Sequence, residues 1–147
     1  MISTQLDKFE SIFLDTAPII YFLEAHSIYG DISKVIVEYF QNNKLNAYSS
    51  VITITEVLPK PISANKMKLA EKFIMFLRHG RNFTIIDINS EIAEKAGRLR
   101  GKYKFLKTID AIQIAASIFL NTDAFITNDK KLKAIEDINI LILDDYK

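Results

Sequence analysis

The chain has 147 residues, of which 49% are hydrophobic and 25% charged, with a formal net charge of +1 and no cysteine. Those figures describe a folded globular chain and lead to the expectation of a single domain spanning 1–147. They exclude disulfide scaffolds, thiolate zinc sites and cysteine nucleophiles, and the near-neutral total announces no polyanionic partner.

The first fifteen residues, MISTQLDKFESIFLD, carry Asp7 and Glu10 where a secretory leader needs an apolar run. The longest apolar stretch, residues 111–120, contains Gln113 and is too short to cross a bilayer. A cytoplasmic protein with no membrane attachment is the expectation. The run SIFL then reads as a short buried strand that ends at Asp15-Thr16, and Pro18 fits the first turn of a helix over residues 19–25. Residues 32, 35, 36, 39 and 40 are apolar, the stripe of an amphipathic helix.

Residues 45–49 form a candidate second strand. TITITEV alternates as a strand does, while Ser50 is placed to cap a short helix carrying Glu56; both readings stand, with helix preferred. Pro59 and Pro61 stop whatever precedes them. A helix over 65–78, a strand over 83–88 and a helix capped by Ser90 follow. Asp110 opens a further helix with Ile112, Ala115, Ala116 and Phe119 on its buried side and Gln113 and Ser117 on its polar side. A strand over 124–126, the turn Thr127-Asn128-Asp129, a short lysine-rich helix and a strand over 139–143 complete the chain. Alternating apolar strands and helices predict an α/β fold with a mostly parallel sheet.

Ligands of open α/β sheets bind beyond the carboxyl ends of the strands, and two strands here end on acids, Asp15 and Asp129. Asp110 and Glu56 add two more carboxylates. Gathered together, the four would repel one another unless a cation or raised pKa values relieved them. Oxygen-only donors suit hard ions, Mg²⁺ or Mn²⁺, which assist phosphodiester hydrolysis without a nucleophilic side chain. Each acid also has an ordinary structural use. Asp15 and Asp110 suit helix starts, Asp129 an Asx turn and Glu56 a solvated helix face. Thr16, Thr127 and Asn128 flank the acids and are candidates to orient them, or to serve as plain turn residues.

FLDT-x-P, TITEVL, DAIQIAAS and FITND, in this order, resemble PIN domains, particularly toxins of the VapC type, across residues 11–143. The resemblance implies a three-layer α/β/α fold and a divalent-metal-dependent endoribonuclease with Asp15, Glu56, Asp110 and Asp129 as metal-binding catalytic residues. It further implies an RNA substrate, a small antitoxin partner and a homodimer. Asn121-Thr122-Asp123 departs from the usual Gly-Ala-Asp, so Asp123 is read as a turn residue.

Two rival classes remain. A non-catalytic or RNA-processing PIN domain that binds RNA is the alternative, although such a protein would be expected to have lost some of the acids. A phosphotransfer enzyme of the haloacid-dehalogenase type wants a second aspartate two residues after the first, where this chain has Ala17. The run Arg98, Arg100, Lys102, Lys104, Lys107 and the cluster Lys130, Lys131, Lys133 are either phosphate-binding surfaces or solvated faces.

Overall fold

The computed structural model describes all residues 1–147. Five strands, β1 (Ser11–Leu14), β2 (Asn46–Ser50), β3 (Phe83–Ile86), β4 (Ala124–Thr127) and β5 (Ile140–Ile142), form one sheet in the order β3-β2-β1-β4-β5. Every pairing is parallel. The expected α/β fold is therefore present, and its sheet is wholly rather than mostly parallel.

Parallel neighbours need crossover connections, and helices supply most of them. α2 (Thr16–Leu23) and α3 (Gly30–Gln41) link β1 to β2; α4 (Val51–Val57), α5 (Pro59–Ser63) and α6 (Met67–His79) link β2 to β3. α7 (Ser90–Lys102) and α8 (Thr108–Phe119) then carry the chain back to β4 on the other side of β1. Right-handed crossovers running in opposite directions must lie on opposite faces, so the helices divide into two layers.

The two cores follow from that division. Ile12 and Leu14 of β1 pack with Ile36, Val37 and Phe40 of α3 and Phe73 and Leu77 of α6. Phe13 points the other way and packs with Ile92 and Leu99 of α7 and Ile114 and Ala115 of α8. Its ring stacks on that of Phe125, with centroids 5.6 Å apart. A strand buried on both faces must be continuously apolar, which is why SIFL shows no alternation.

Several boundaries differ from the sequence reading. α2 begins at Thr16 because Asp15 caps it, accepting the Thr16 N–H, and Pro18 sits inside the first turn. VITITEV is helical, the preferred of its two readings, since the Ser50 side chain accepts from the Ile52 N–H and starts the turn. Pro59 stops α4, which ends at Val57, as expected, and also opens α5, because a proline lacks only an N–H that the first turn leaves unpaired anyway. Asn89, not Ser90, caps α7 by accepting from the Ile92 N–H at 2.9 Å. A short α1 (Ile2–Leu6), unanticipated because it is one turn long, buries Ile2 and Leu6 against the first core. Gly80 ends α6 where an added Cβ would lie 2.6 Å from the Phe76 carbonyl oxygen.

α8 departs furthest from expectation. Gln113 and Ser117 are fully buried, whereas Phe119 is 41% exposed. The helix packs against both α7 and the strands β2 and β4, so it is enclosed on more of its circumference than a one-faced amphipathic helix.

Candidate active site

β1 is the point from which the chain winds outward in both directions, to β2 and β3 on one side and to β4 and β5 on the other. Its carboxyl end is the topological switch point where open α/β sheets place their ligands. Asp15 stands there. It is nine-tenths buried, with Oδ1 accepting from the Thr16 N–H at 2.9 Å and Oδ2 from the Thr127 hydroxyl at 2.8 Å.

β1 and β4 are paired in register, Leu14 opposite Ile126, so the residues that follow them are brought side by side. Thr127 thereby reaches Asp15, and its oxygen also accepts from the Asp129 N–H at 3.2 Å. Asp129 caps the 3₁₀ turn Lys130–Ala134 by accepting from the Lys131 N–H. Asn128 is held at both ends of its amide: Oδ1 accepts from the Asp144 N–H, and Nδ2 donates to the Tyr21 hydroxyl.

Glu56 enters from α4, one helical turn beyond Thr53. The Thr16 hydroxyl donates to Glu56 Oε1 at 2.7 Å, tying the start of α2 to the carboxylate of α4. Asp110 lies in the first turn of α8 and is half-buried. It lines a recess of about 40 Å³ together with Asp129, Lys107 and Lys131, a volume for water or an ion and not for an organic ligand.

The electrostatics link these acids. Burial raises the Asp15 pKa to about 6; the bonds from Thr16 and Thr127 oppose the rise, and the charges of Asp110 and Glu56 add to it. Asp110 is also raised, first by burial and then by the charges of Asp129 and Glu56, against a lowering by Lys107. None of the four carboxylates makes an ion pair with a lysine or arginine. Like charges drawn together without a countercharge are an arrangement that a cation relieves.

No three of the acids converge tightly enough to make a ready-made cation cage. The donor chemistry nevertheless fits Mg²⁺ or Mn²⁺: all donors are oxygens, and Mg²⁺ is commonly held by one or two carboxylates while keeping several waters.

The basic segments are less free than their spacing suggests. Arg98 pairs with Glu94, Lys102 with Asp137, and the Arg100 Nε–H donates to the Leu106 carbonyl. Lys130 and Lys133 pair with Asp144 and Asp145. Lys104, Lys107 and Lys131 make no such pairs. Asp123 accepts from the N–H groups of Glu10 and Ser11 and so holds the entry to β1.

Sequence reasoning missed the buried polar cluster of Ser49, Thr53 and Gln113, all with no exposed surface. The only sign of it was a glutamine interrupting an apolar run.

The family description "PIN domain" matches residues 12–138. Among solved structures, the VapBC2 complex of Rickettsia felis, bound to a promoter DNA fragment, matches at 22% identity with a TM-score of 0.71, covering 90% of this chain and 98% of that one. A toxin–antitoxin complex from Klebsiella pneumoniae matches at 27% identity and TM-score 0.65, over 90% and 97% of the two chains. VapC20 of Mycobacterium tuberculosis, a toxin that cleaves the sarcin–ricin loop, matches at 12% identity and TM-score 0.68, over 87% and 98%. No curated protein sequence matches the chain.

Proposed function

The chain belongs to the PIN domain family, and from that premise we propose that it is a divalent-metal-dependent endoribonuclease, the toxin of a VapBC-type toxin–antitoxin pair. The observation that carries the reading is Asp15, buried at the switch point with its pKa raised in part by Asp110 and Glu56 and with no cation paired to it.

In this reading Asp15, Glu56, Asp110 and Asp129 hold Mg²⁺ or Mn²⁺ at the scissile phosphate. The bound ion supplies Lewis acidity toward the phosphoryl oxygens and eases ionisation of an attacking water. The chain's own part is to present oxygens in fixed positions. Thr127 orients Asp15, Thr16 orients Glu56, and Asn128 braces the turn that presents Asp129. Lys107 and Lys131 beside the recess supply the positive charge that draws in a phosphate backbone.

The partner inferred for this chain is a small antitoxin, since the structures it resembles include VapBC complexes and a toxin–antitoxin complex. A cavity of about 150 Å³, lined by Ile20, Val57 and Leu69 together with Glu24, Glu56, Lys60 and Lys66, suits an apolar antitoxin segment. A homodimer and action in the cytoplasm complete the reading. No helix is long and apolar enough to cross a membrane.

The test is 5′-end mapping of cellular RNA incubated with purified protein and Mn²⁺, beside the Asp110→Asn variant. New ends that vanish in the variant and with chelator are expected. Ends that persist in the variant would refute the assignment of Asp110, and no ends from antitoxin-free protein on any cellular RNA would refute the ribonuclease reading.

A further inference from the structure

Three of the four carboxylates are borne by elements that meet in a buried polar seam. Ser49 at the end of β2, Thr53 on α4 and Gln113 on α8 have no exposed surface, although most of what surrounds them is apolar core. The Ser49 hydroxyl donates to the Leu14 carbonyl at 2.8 Å, and the Ser49 and Thr53 hydroxyls are 2.8 Å apart. Gln113 Nε2 donates to the Thr53 hydroxyl at 2.8 Å, while Ser50 donates to Gln113 Oε1 at 2.5 Å.

Counting protons gives the seam a direction. Ser49 has one hydroxyl proton, committed to a carbonyl that can only accept, so Thr53 must donate to Ser49. Gln113 therefore donates to Thr53, Thr53 to Ser49 and Ser49 to Leu14. The reversed amide would draw the Thr53 proton to Gln113 and leave the Ser49–Thr53 contact without one.

Three of the four members of the chain sit beside a carboxylate. Leu14 precedes Asp15, Thr53 is one helical turn before Glu56, and Gln113 is one turn after Asp110, on the same face. The Thr16 hydroxyl, which donates to Glu56, lies 3.3 Å from that of Thr53; with both protons committed elsewhere the two oxygens are in contact without a hydrogen bond, and Glu56 is tied to the chain through its helix, one turn from Thr53. Burying such groups is costly unless all are satisfied, and a satisfied network holds its members to one geometry.

We propose that the hydrogen-bond chain Gln113–Thr53–Ser49–Leu14 sets the spacing of Asp15, Glu56 and Asp110, with Thr53 as the positioning residue at its centre. The inference rests on the metal site of the proposed ribonuclease and extends it to residues that touch neither ion nor substrate.

Thr53→Val keeps the shape and removes the hydroxyl; Thr53→Ser restores it. Mn²⁺ affinity of the metal-free protein, read from the electron paramagnetic resonance of free Mn²⁺, should fall about 10-fold or more in Thr53→Val and return to within about twofold in Thr53→Ser. Ser49→Ala breaks the next link, should weaken binding likewise, and carries the test alone if Thr53→Val does not fold. Phe40→Leu, a core change away from the seam, serves as the control and should leave affinity unchanged. Unchanged affinity in both seam variants, or an equal loss in Phe40→Leu, overturns the inference while leaving the metal site standing. A parent protein that binds no Mn²⁺ overturns the metal site, and the inference with it.

Discussion

Thr127 donates its hydroxyl proton to Asp15 Oδ2 across 2.8 Å, from the end of one strand to the end of its neighbour. The bond exists because β1 and β4, 112 residues apart in sequence, pair in parallel and stop in register. It gives the most buried carboxylate of the site a fixed direction, and it opposes the rise in pKa that burial imposes.

Thr127→Val should therefore raise the Asp15 pKa further above 6 and cost about 1–3 kcal/mol of stability by leaving a buried acceptor unpaired. Carboxyl-carbon NMR titration and urea unfolding would read the two effects. Thr127→Ser should reverse both. A Thr127→Val protein with an unmoved Asp15 titration would show that the bond does not govern the carboxylate.

Asp15 also makes stability depend on pH. Its folded pKa of about 6 lies above the ordinary aspartate value of 3.8, so the folded state binds the proton more tightly. The stabilising contribution is complete below about pH 4 and is lost as pH rises through 6, on the order of 2–3 kcal/mol. In chelator, Asp15→Asn should match the parent near pH 4 and exceed it at pH 7.5, by urea midpoint. An Asn variant less stable than the parent at both pH values would contradict this account.

Mn²⁺ should act in the opposite sense at neutral pH, because it stabilises the ionised acids. At a free concentration 100 times its Kd the gain is about 2.7 kcal/mol, which raises Tm by roughly 5–10 °C in a chain of this size. Chelator should abolish the shift, and Asp15→Asn should lack it. A shift of equal size in Asp15→Asn would place the ion elsewhere.

Lys104, Lys107 and Lys131 are the lysines of the two clusters that no acid neutralises by pairing. Replacing each by Gln should flatten the salt dependence of single-stranded RNA binding by about 0.7 in slope. Arg98→Gln and Lys102→Gln, which break existing pairs with Glu94 and Asp137, should leave the slope nearly unchanged. Equal slopes for all five variants would return both clusters to the role of solvated surface.

How much of this was legible in sequence depends on the range of the interaction. IFL, AFI and ILIL announce buried parallel strands because a strand covered on both faces is apolar on both. Asp15 and Asp129 announce themselves because each ends such a strand in a polar turn, and Asp110 because it sits in the first turn of a helix. These are properties of short windows, where steric and solvation preferences act between neighbours along the chain.

The tertiary structure alone decided what those residues meet. The strand order sets Thr127 beside Asp15, and no local pattern encodes strand order. Gln113 looked solvated because its helix was assumed to have one buried face; packing against both α7 and the sheet buried it, and Thr53 and Ser50 satisfied its amide. The basic run looked like one charged surface until Asp137, 35 residues from Lys102, came back to pair with it. Distances between groups far apart in sequence are fixed by the packing of whole elements, and that is where the spacing of the four carboxylates is set.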